Sequence, residues 1–343
     1  MLEQKNKQPF FSVLIPVFNG DVFVAECINS ILTQSFVDFE LLICDDASTD
    51  KTLEILEQFA KQDSRIRILK HVTNKRALIA RNNLVRSAKG KYCIFADADD
   101  ELLPDFLETA KKILDKKHYD IIQFSFFTRG SNPNFIKRMG YFSNKDLTGE
   151  KILDQYLFGF PNIFAPFAKV YDRELLLKSL PEDRILPFID DIPLTIQAAH
   201  FAKSYLSLKK KKYIFHHGSG GFSKKQWSDG NIKDFCISAS DILREFENFS
   251  QKNYLEKKYY YELETKMTDN LFTQINNLDP LKKANALRIY LQYFDGSDIL
   301  KDFILINKQT PLSVFIKGLF RFVCIFVKRI YLRLIGKKNW IEP

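Results

Sequence analysis

No two cysteines in the sequence are spaced as CxxC. The five that exist, Cys27, Cys44, Cys93, Cys236 and Cys324, are far apart and odd in number. That excludes a zinc ribbon, a thioredoxin-type redox site and a disulfide scaffold, and it suits free thiols in a reducing cytosol. No stretch approaches the length of uncharged apolar sequence that a spanning helix needs, so none is expected. The N-terminal run MLEQKNKQPFFSVLIPVF does not have the layout of a secretory signal, because its apolar part starts late and is broken by Pro16. There is no internal repeat. A strong charge bias over the body of the chain is missing too. The net charge is +9, but from Pro311 onward seven basic residues face one acidic residue, which leaves only +3 for the rest. A nucleic-acid-binding role is therefore not expected. What the chain has in quantity is apolar and aromatic residues, 45% hydrophobic with 32 Phe, and this rules out a disordered protein. Its 343 residues suffice for two ordinary domains or one large one with an extension.

The first part alternates short apolar runs with helical spacing. Ser12–Val17, Phe39–Cys44, Arg65–Lys70, Lys91–Ala96 and Tyr119–Phe126 read as strands. Val22–Thr33, Thr49–Gln62, Leu78–Ala88 and Pro104–Lys117 read as helices, the second capped near Ser48 or Asp50. This order predicts an α/β fold, a mostly parallel Rossmann-like sheet with helices on both faces. Ligands in such sheets bind beyond the carboxyl ends of the strands. The residues there are Phe18 and Asn19, then Asp45 and Asp46, then Asp97 to Asp100. The middle of the chain is less regular, and from Trp227 the pattern turns mostly helical and Lys-rich. The expected division is residues 1–225 as the main domain (1–125 nucleotide-binding, 126–225 acceptor half), 226–310 as a helical extension and 311–343 as a basic tail.

The segment FADADD, 95–100, carries most information. Asp97 and Asp99 alternate after a strand, so both can project from one strand end. Carboxylates this close repel unless a positive group lies between them. Mg²⁺ or Mn²⁺, which typically uses one or two carboxylates together with phosphate oxygens and water, answers that need. The other reading is a helix-capping turn before Pro104. In CDDASTD, 44–50, Asp45 and Asp46 are placed to accept from a base N–H or a ribose hydroxyl; the other reading there is helix capping.

In order along the chain, SVLIPVFN, DDASTD, ARN (80–82) and KGKYCIFADADD resemble the family 2 glycosyltransferases of GT-A fold. The resemblance is strong over about the first 125 residues and weak to about residue 220. It implies roles residue by residue. Pro16, Phe18 and Asn19 form the first nucleotide-contacting loop, Asp45 or Asp46 binds the base, and Arg81 lies near the nucleotide. Asp97 touches ribose or diphosphate, and Asp99 binds the metal. One departure stands out: the family often has glycine two residues after the Asn that opens N-x-G…ARN, and here that place is Arg76. In LPFIDDIPL, Asp190 and Asp191 resemble the family's Glu-Asp pair, with Asp191 expected as the general base and Asp190 as its support; the alternative is an N-cap pair before Pro193. In FHHGSGG, His216 is a candidate third metal ligand and His217 a candidate diphosphate contact, against ordinary loop histidines.

The tail 312–335 places Lys317, Arg321 and Lys328 on one stripe of a helix, within about 40° at 100° per residue, against Phe, Leu, Ile and Val elsewhere. It reads as a basic amphipathic helix on an anionic membrane surface, or as a helix docked on the protein with snorkelling lysines. The combined expectation is an inverting, Mn²⁺- or Mg²⁺-dependent glycosyltransferase. It would move a sugar from a nucleotide-diphosphate donor, a UDP-sugar by family analogy, to a glycan or glycolipid acceptor such as lipooligosaccharide, lipopolysaccharide or capsule. It would sit on the cytoplasmic face of the inner membrane. Two rivals are a nucleotidyltransferase, disfavoured because PVFNGDVF has one glycine and no basic residue, and a non-catalytic membrane-bound scaffold.

Overall fold

A computed structural model describes residues 8–129, 136–137, 143–158, 164–216 and 228–253, with scattered positions from 255 to 293. The chain divides into a unit of Met1–Asp279 and a unit of Pro280–Pro343. In the second, the described Ala286, Ile289 and Tyr293 are helical. His217 and the tail 311–343 lie outside the described residues.

In the first unit the elements run β1 (Phe11–Val17), α1 (Val24–Leu32), β2 (Phe39–Asp45), α2 (Thr52–Gln62), β3 (Ile66–Lys70), α3 (Arg76–Ser87), β4 (Tyr92–Phe95), β5 (Glu101–Leu102), α4 (Phe106–Leu114) and β6 (Ile121–Arg129). There follow β7 (Ile136–Lys137), β8 (Lys145–Thr148), α5 (Glu150–Phe158), β9 (Lys169–Asp172), α6 (Arg173–Lys178), α7 (Ile192–Phe201), β10 (Ser204–His216) and α8 (Asp229–Lys252). One sheet has the order β3-β2-β1-β4-β9-β6-β10-β5, with β7 beside β6 and β8 beside β10. β3, β2, β1 and β4 pair in parallel, as do β6 and β10. The short β9 lies antiparallel between β4 and β6. The sheet is mixed, but mostly parallel as expected.

The continuous apolar runs of β1, β2 and β4 follow from burial on both faces. Their side chains meet Val24, Cys27, Ile28 and Ile31 of α1 and Phe106, Leu107 and Ala110 of α4 in one core. Neither Ser48 nor Asp50 is the N-cap of α2; that place is Lys51. Asp50 still serves the helix start, since its Oδ1 accepts from Thr52 N at 2.9 Å. The run Lys209–Lys212 lies in β10, where register shifts at Lys211 break the ladder. Lys209 and Lys210 are exposed, whereas Lys212 is buried and pairs with Asp105.

Pro16 sits in a central strand, an unusual place for a residue without an N–H. The carbonyl of Leu14 accepts from Ala96 N at 3.0 Å, so the even-numbered backbone positions of β1 face β4. The β1–β4 pairing ends at Leu14 with Phe95. The missing donor of Pro16 therefore falls just past the last pair. Beyond that point β1 continues paired with β2 only, to Val17 with Asp45.

At the opposite end of the sheet, Glu40, Ser12 and Gly90 set the path of β4. Ser12 Oγ donates to Glu40 at 2.6 Å and accepts from Gly90 N at 2.8 Å. A Cβ on Gly90 would lie 2.5 Å from Ser12 N and 2.6 Å from Phe11 C. Backbone cannot move aside as a flexible side chain can, so Gly90→Ala is expected to destabilise the fold by about 2 kcal/mol. Urea unfolding measures this, and an unchanged midpoint would show that the turn relaxes freely.

Candidate functional site

Three loops at the carboxyl ends of β1, β2 and β3 are laced together. Asn19, after β1, accepts from Thr49 N at 2.8 Å and donates its own N–H to Ser48 Oγ at 3.0 Å. Phe18 beside it is 46% exposed, which is high for a residue adjoining a buried strand. After β2, the two aspartates have different surroundings. Asp46 is fully engaged: Oδ1 lies 2.6 Å from His71 Nδ1 and accepts from Lys75 N at 2.8 Å, and Oδ2 accepts from Arg76 N at 2.8 Å. Asp45 is also buried, and its Oδ2 accepts only a long bond from Ser48 N at 3.4 Å, while its Oδ1 has no partner. A buried carboxylate oxygen with nothing to accept from is costly unless a ligand supplies a donor.

Arg76 has φ +69, a left-handed backbone that bulky residues rarely adopt. It occupies the place where the resembled family often carries glycine. The loop keeps a glycine-like conformation because Asp46 takes the N–H of Arg76. The other left-handed non-glycine residues are Asn19, Ala47, Ala168 and Ile189.

The ARN segment on α3 joins the two halves of the site. Arg81 is buried; its Nη1 bonds to Asp190 Oδ2, and its Nη2 is 3.6 Å from Asp97 Oδ1. Asn82 donates to Asp183 Oδ1 at 2.7 Å and to Pro181 O at 3.0 Å. Arg86, one turn on, pairs with Asp183 at 2.8 Å. The irregular segment before α7 is thus tied to α3.

Within FADADD the acidic residues divide their tasks. Asp100 is buried; Tyr213 donates to its Oδ2 at 2.7 Å and His216 N to its Oδ1 at 2.8 Å. Tyr213 Oη also accepts from Asp97 N at 3.1 Å. Glu101 binds Arg129 at 2.8 Å and His216 Nε2 at 2.7 Å. Asp100 and Glu101 therefore fasten the turn to β10, while Asp97 faces Arg81. The ring of His216 is turned to Glu101. Among the described residues, no group of three or more His, Cys, Asp or Glu side chains is arranged to hold a metal. The trio Asp97, Asp99 and His216 is thus not assembled as a ligand set. A pair of hard carboxylate oxygens remains, which fits a divalent cation that takes its other ligands from a diphosphate and water.

Electrostatics show that the carboxylates converge. Burial, then the charges of Asp99, Asp191 and Asp190, push the Asp97 carboxyl up to about 6 against the opposing pull of Arg81. Burial first, then Asp190, raises Asp191, while Arg81 and Lys169 oppose the rise. Asp191 is the N-cap of α7 with Pro193 in the first turn, yet its side chain makes no capping bond. The capping alternative is therefore realised by position and not by hydrogen bonding. Tyr213 joins the acidic turn with no motif to mark it, whereas Asp100 was marked by its place inside the acidic run.

Residues 12–179 match the family model described as glycosyl transferase family 2. The uncharacterized glycosyltransferase EpsJ of Bacillus subtilis is 27% identical over 219 residues, 63% of this chain and 63% of EpsJ. The putative teichuronic acid biosynthesis glycosyltransferase TuaG of the same organism is 39% identical over 103 residues, 30% of this chain and 41% of TuaG. The chain thus spans less than two thirds of the length of these relatives. The crystal structure of S. aureus TarS 1-349 in complex with UDP-GlcNAc superposes with a TM-score of 0.63 at 22% identity, covering 82% of this chain and 80% of that one. The shared architecture is the GT-A fold, and residues 12–179, which run from within β1 to the end of α6 and hold the whole FADADD turn, belong to glycosyl transferase family 2.

Proposed function

We propose that the protein is an inverting, metal-dependent glycosyltransferase that moves a sugar from a nucleotide-diphosphate donor to a hydroxyl of a bacterial surface glycan. The observation that carries this reading is the meeting of Asp97 and Asp99 with Asp190 and Asp191 around the buried Arg81. The unpaired Asp45 Oδ1 lies on a strand end of the same sheet. The TarS complex with UDP-GlcNAc supports a uridine-diphosphate sugar as donor. The printed role of TuaG in teichuronic acid biosynthesis supports a surface-glycan acceptor.

Each residue has a task in this reading. Asp45 Oδ1 accepts a base N–H, and Phe18 and Asn19 border the base from the β1 loop. Asp97 and Asp99 hold Mn²⁺ or Mg²⁺, which when bound neutralises the leaving diphosphate. Asp191 accepts the proton of the acceptor hydroxyl as that oxygen attacks. Asp190, fixed by Arg81, keeps the segment before α7 in place, so base and donor share one geometry. A raised proton affinity suits Asp191 to its task, because a base works best when its pKa lies near the operating pH. The single displacement, and hence inversion, follows from the family resemblance.

Asp191→Asn is expected to lower transfer about 10²–10⁴-fold while UDP binding, followed by calorimetry, is retained. Transfer at the wild-type rate would remove Asp191 from this role. A panel of nucleotide sugars, scored for hydrolysis and thermal stabilisation, identifies the donor for that assay.

The acid limb of kcat/KM should lie above the ordinary aspartate range, because Asp191 must be ionised to act and its environment resists ionisation. In Asp190→Asn the limb should move to lower pH, since a neighbouring negative charge is gone. A shift to higher pH contradicts the assignment.

UDP should bind more tightly with Mn²⁺ than without it, and Asp99→Ala should abolish the difference. Equal affinity under all these conditions refutes the metal role.

The basic tail supports a peripheral position on the cytoplasmic face of the inner membrane, next to a lipid-linked acceptor. Among the described residues no helix is long and apolar enough to cross a membrane. Truncation after residue 310 is expected to abolish sedimentation with anionic liposomes. Undiminished binding would assign membrane contact to another part of the chain.

A further inference from the structure

The lysine run of β10 has no task in the reaction above, yet it displaces the strand. Leu208 pairs with Phe124 of β6 and Tyr213 with Phe126, so five steps along β10 cover two along β6. Extra residues of this kind bend a strand and re-aim the side chains beyond them. Here they bring β10 against the acidic turn that follows β4. The carbonyl of Lys212 accepts from Leu103 N at 2.9 Å, and its Nζ pairs with Asp105. Tyr213 and Ile214 pair with Leu102 and Glu101 of β5.

The Tyr213 hydroxyl is where this contact reaches the carboxylates. Its oxygen accepts from Asp97 N at 3.1 Å and donates to Asp100 Oδ2 at 2.7 Å, while His216 N donates to Asp100 Oδ1 at 2.8 Å. The bonds run one way, from the Asp97 amide through the phenol to the Asp100 carboxylate, and bonds in such a chain strengthen one another. Asp100 N donates back to Asp97 O at 3.0 Å and closes a turn that contains Asp99. Packing alone does not call for a hydroxyl here. The Tyr213 ring is fully buried and stacks on Phe167 at 5.1 Å and 7°, and Phe167 stacks on Phe215 at 5.3 Å and 13°. A third phenylalanine would fill that place without an oxygen to satisfy.

We propose that Tyr213 is a positioning residue for the FADADD turn: its hydroxyl, brought there by the displaced stretch of β10, holds the backbone of Asp97 and the side chain of Asp100 so that Asp97 and Asp99 are set to take up a divalent cation. This inference rests on the reading that Asp97 and Asp99 hold that cation. It also gives the lysine run a purpose, since the extra residues are what bring the hydroxyl to the turn.

The test uses the full-length protein with UDP and Mn²⁺ as probes. UDP affinity is measured by calorimetry over a series of Mn²⁺ concentrations in wild type, Tyr213→Phe and Tyr205→Phe; Tyr205 is a buried tyrosine earlier on β10. In Tyr213→Phe the Mn²⁺ concentration that gives half of the gain in UDP affinity should rise about tenfold, the usual scale for losing a group that orients a metal ligand. Metal-free UDP affinity should stay at the wild-type value, and Tyr205→Phe should behave as wild type throughout. An unmoved Mn²⁺ midpoint in Tyr213→Phe, or an equal shift in Tyr205→Phe, overturns the proposal. The second measurement is hydrogen exchange of the Asp97 amide, read by NMR on aspartate-labelled protein without metal or nucleotide. That amide should be protected in wild type and exchange faster in Tyr213→Phe. An unprotected amide in wild type overturns the proposal whether or not the variant folds. Wild-type UDP affinity that is the same at every Mn²⁺ concentration refutes the metal reading instead, so the two failures are told apart.

Discussion

The site depends on one buried guanidinium. Arg81 joins Asp190, from the segment before α7, to Asp97, at the end of β4, and its side chain is 9% exposed. A cation removed from water at that depth is tolerable only with carboxylates at hand, and carboxylates crowded together are tolerable only with a cation. Each side of the contact therefore requires the other. Asp97 and Asp190 are far apart in sequence. Asn82 and Arg86 add bonds to the same irregular stretch through Asp183. One helix, α3, thereby fixes the segment before α7. Arg81 is shared among Asp97, Asp190 and Asp191, and burial with this crowding still leaves Asp97 and Asp191 harder to ionise than ordinary aspartates.

Backbone strain is concentrated at the same end of the sheet. Asn19, Ala47, Arg76, Ala168 and Ile189 all have φ between +50 and +69, and each is a non-glycine residue within a few positions of a site residue. Such conformations cost roughly 1–2 kcal/mol each. They persist where neighbours hold them, as the bonds of Asn19 to Ser48 and Thr49 and of Arg76 to Asp46 show. Ile189 immediately precedes Asp190, and Ala168 immediately follows Phe167, the ring stacked on Tyr213. The fold accepts local strain to aim short loops, while the central strands stay regular.

The nucleotide half was legible because its signals are local. β1, β2 and β4 carry apolar runs and β3 alternates, each of the first four helices has a periodic apolar face, and acidic residues follow β2 and β4 closely. Boundaries differ from expectation by a few residues at most, as with β6, which runs to Arg129 beyond the expected Phe126. The acceptor half was not legible for a physical reason. β9 is only four residues long, and nothing local announces that KVYD will insert antiparallel between β4 and β6. β10 hides behind its lysines: the charge run suggests solvent, but Lys212 is buried against Asp105.

The acidic clusters show what kind of information a sequence withholds. The chain crowds carboxylates at Asp45–Asp46, at Asp97–Asp100 and at Asp190–Asp191. Residue type and spacing identify each group as a place where charge is concentrated, without saying which member is structural. Hydrogen-bond saturation decides that. Asp46 has both oxygens occupied by backbone N–H groups and His71, Asp100 by Tyr213 and His216, and Asp190 is held by Arg81. Their neighbours Asp45, Asp97 and Asp191 are left with fewer internal bonds or with suppressed ionisation. An anion already surrounded by donors gains little from a ligand, whereas an under-satisfied one gains the most. In each cluster one member builds the loop so that its neighbour can remain incompletely satisfied, and that incompleteness is the chemical resource a donor, a cation or an acceptor hydroxyl can draw on.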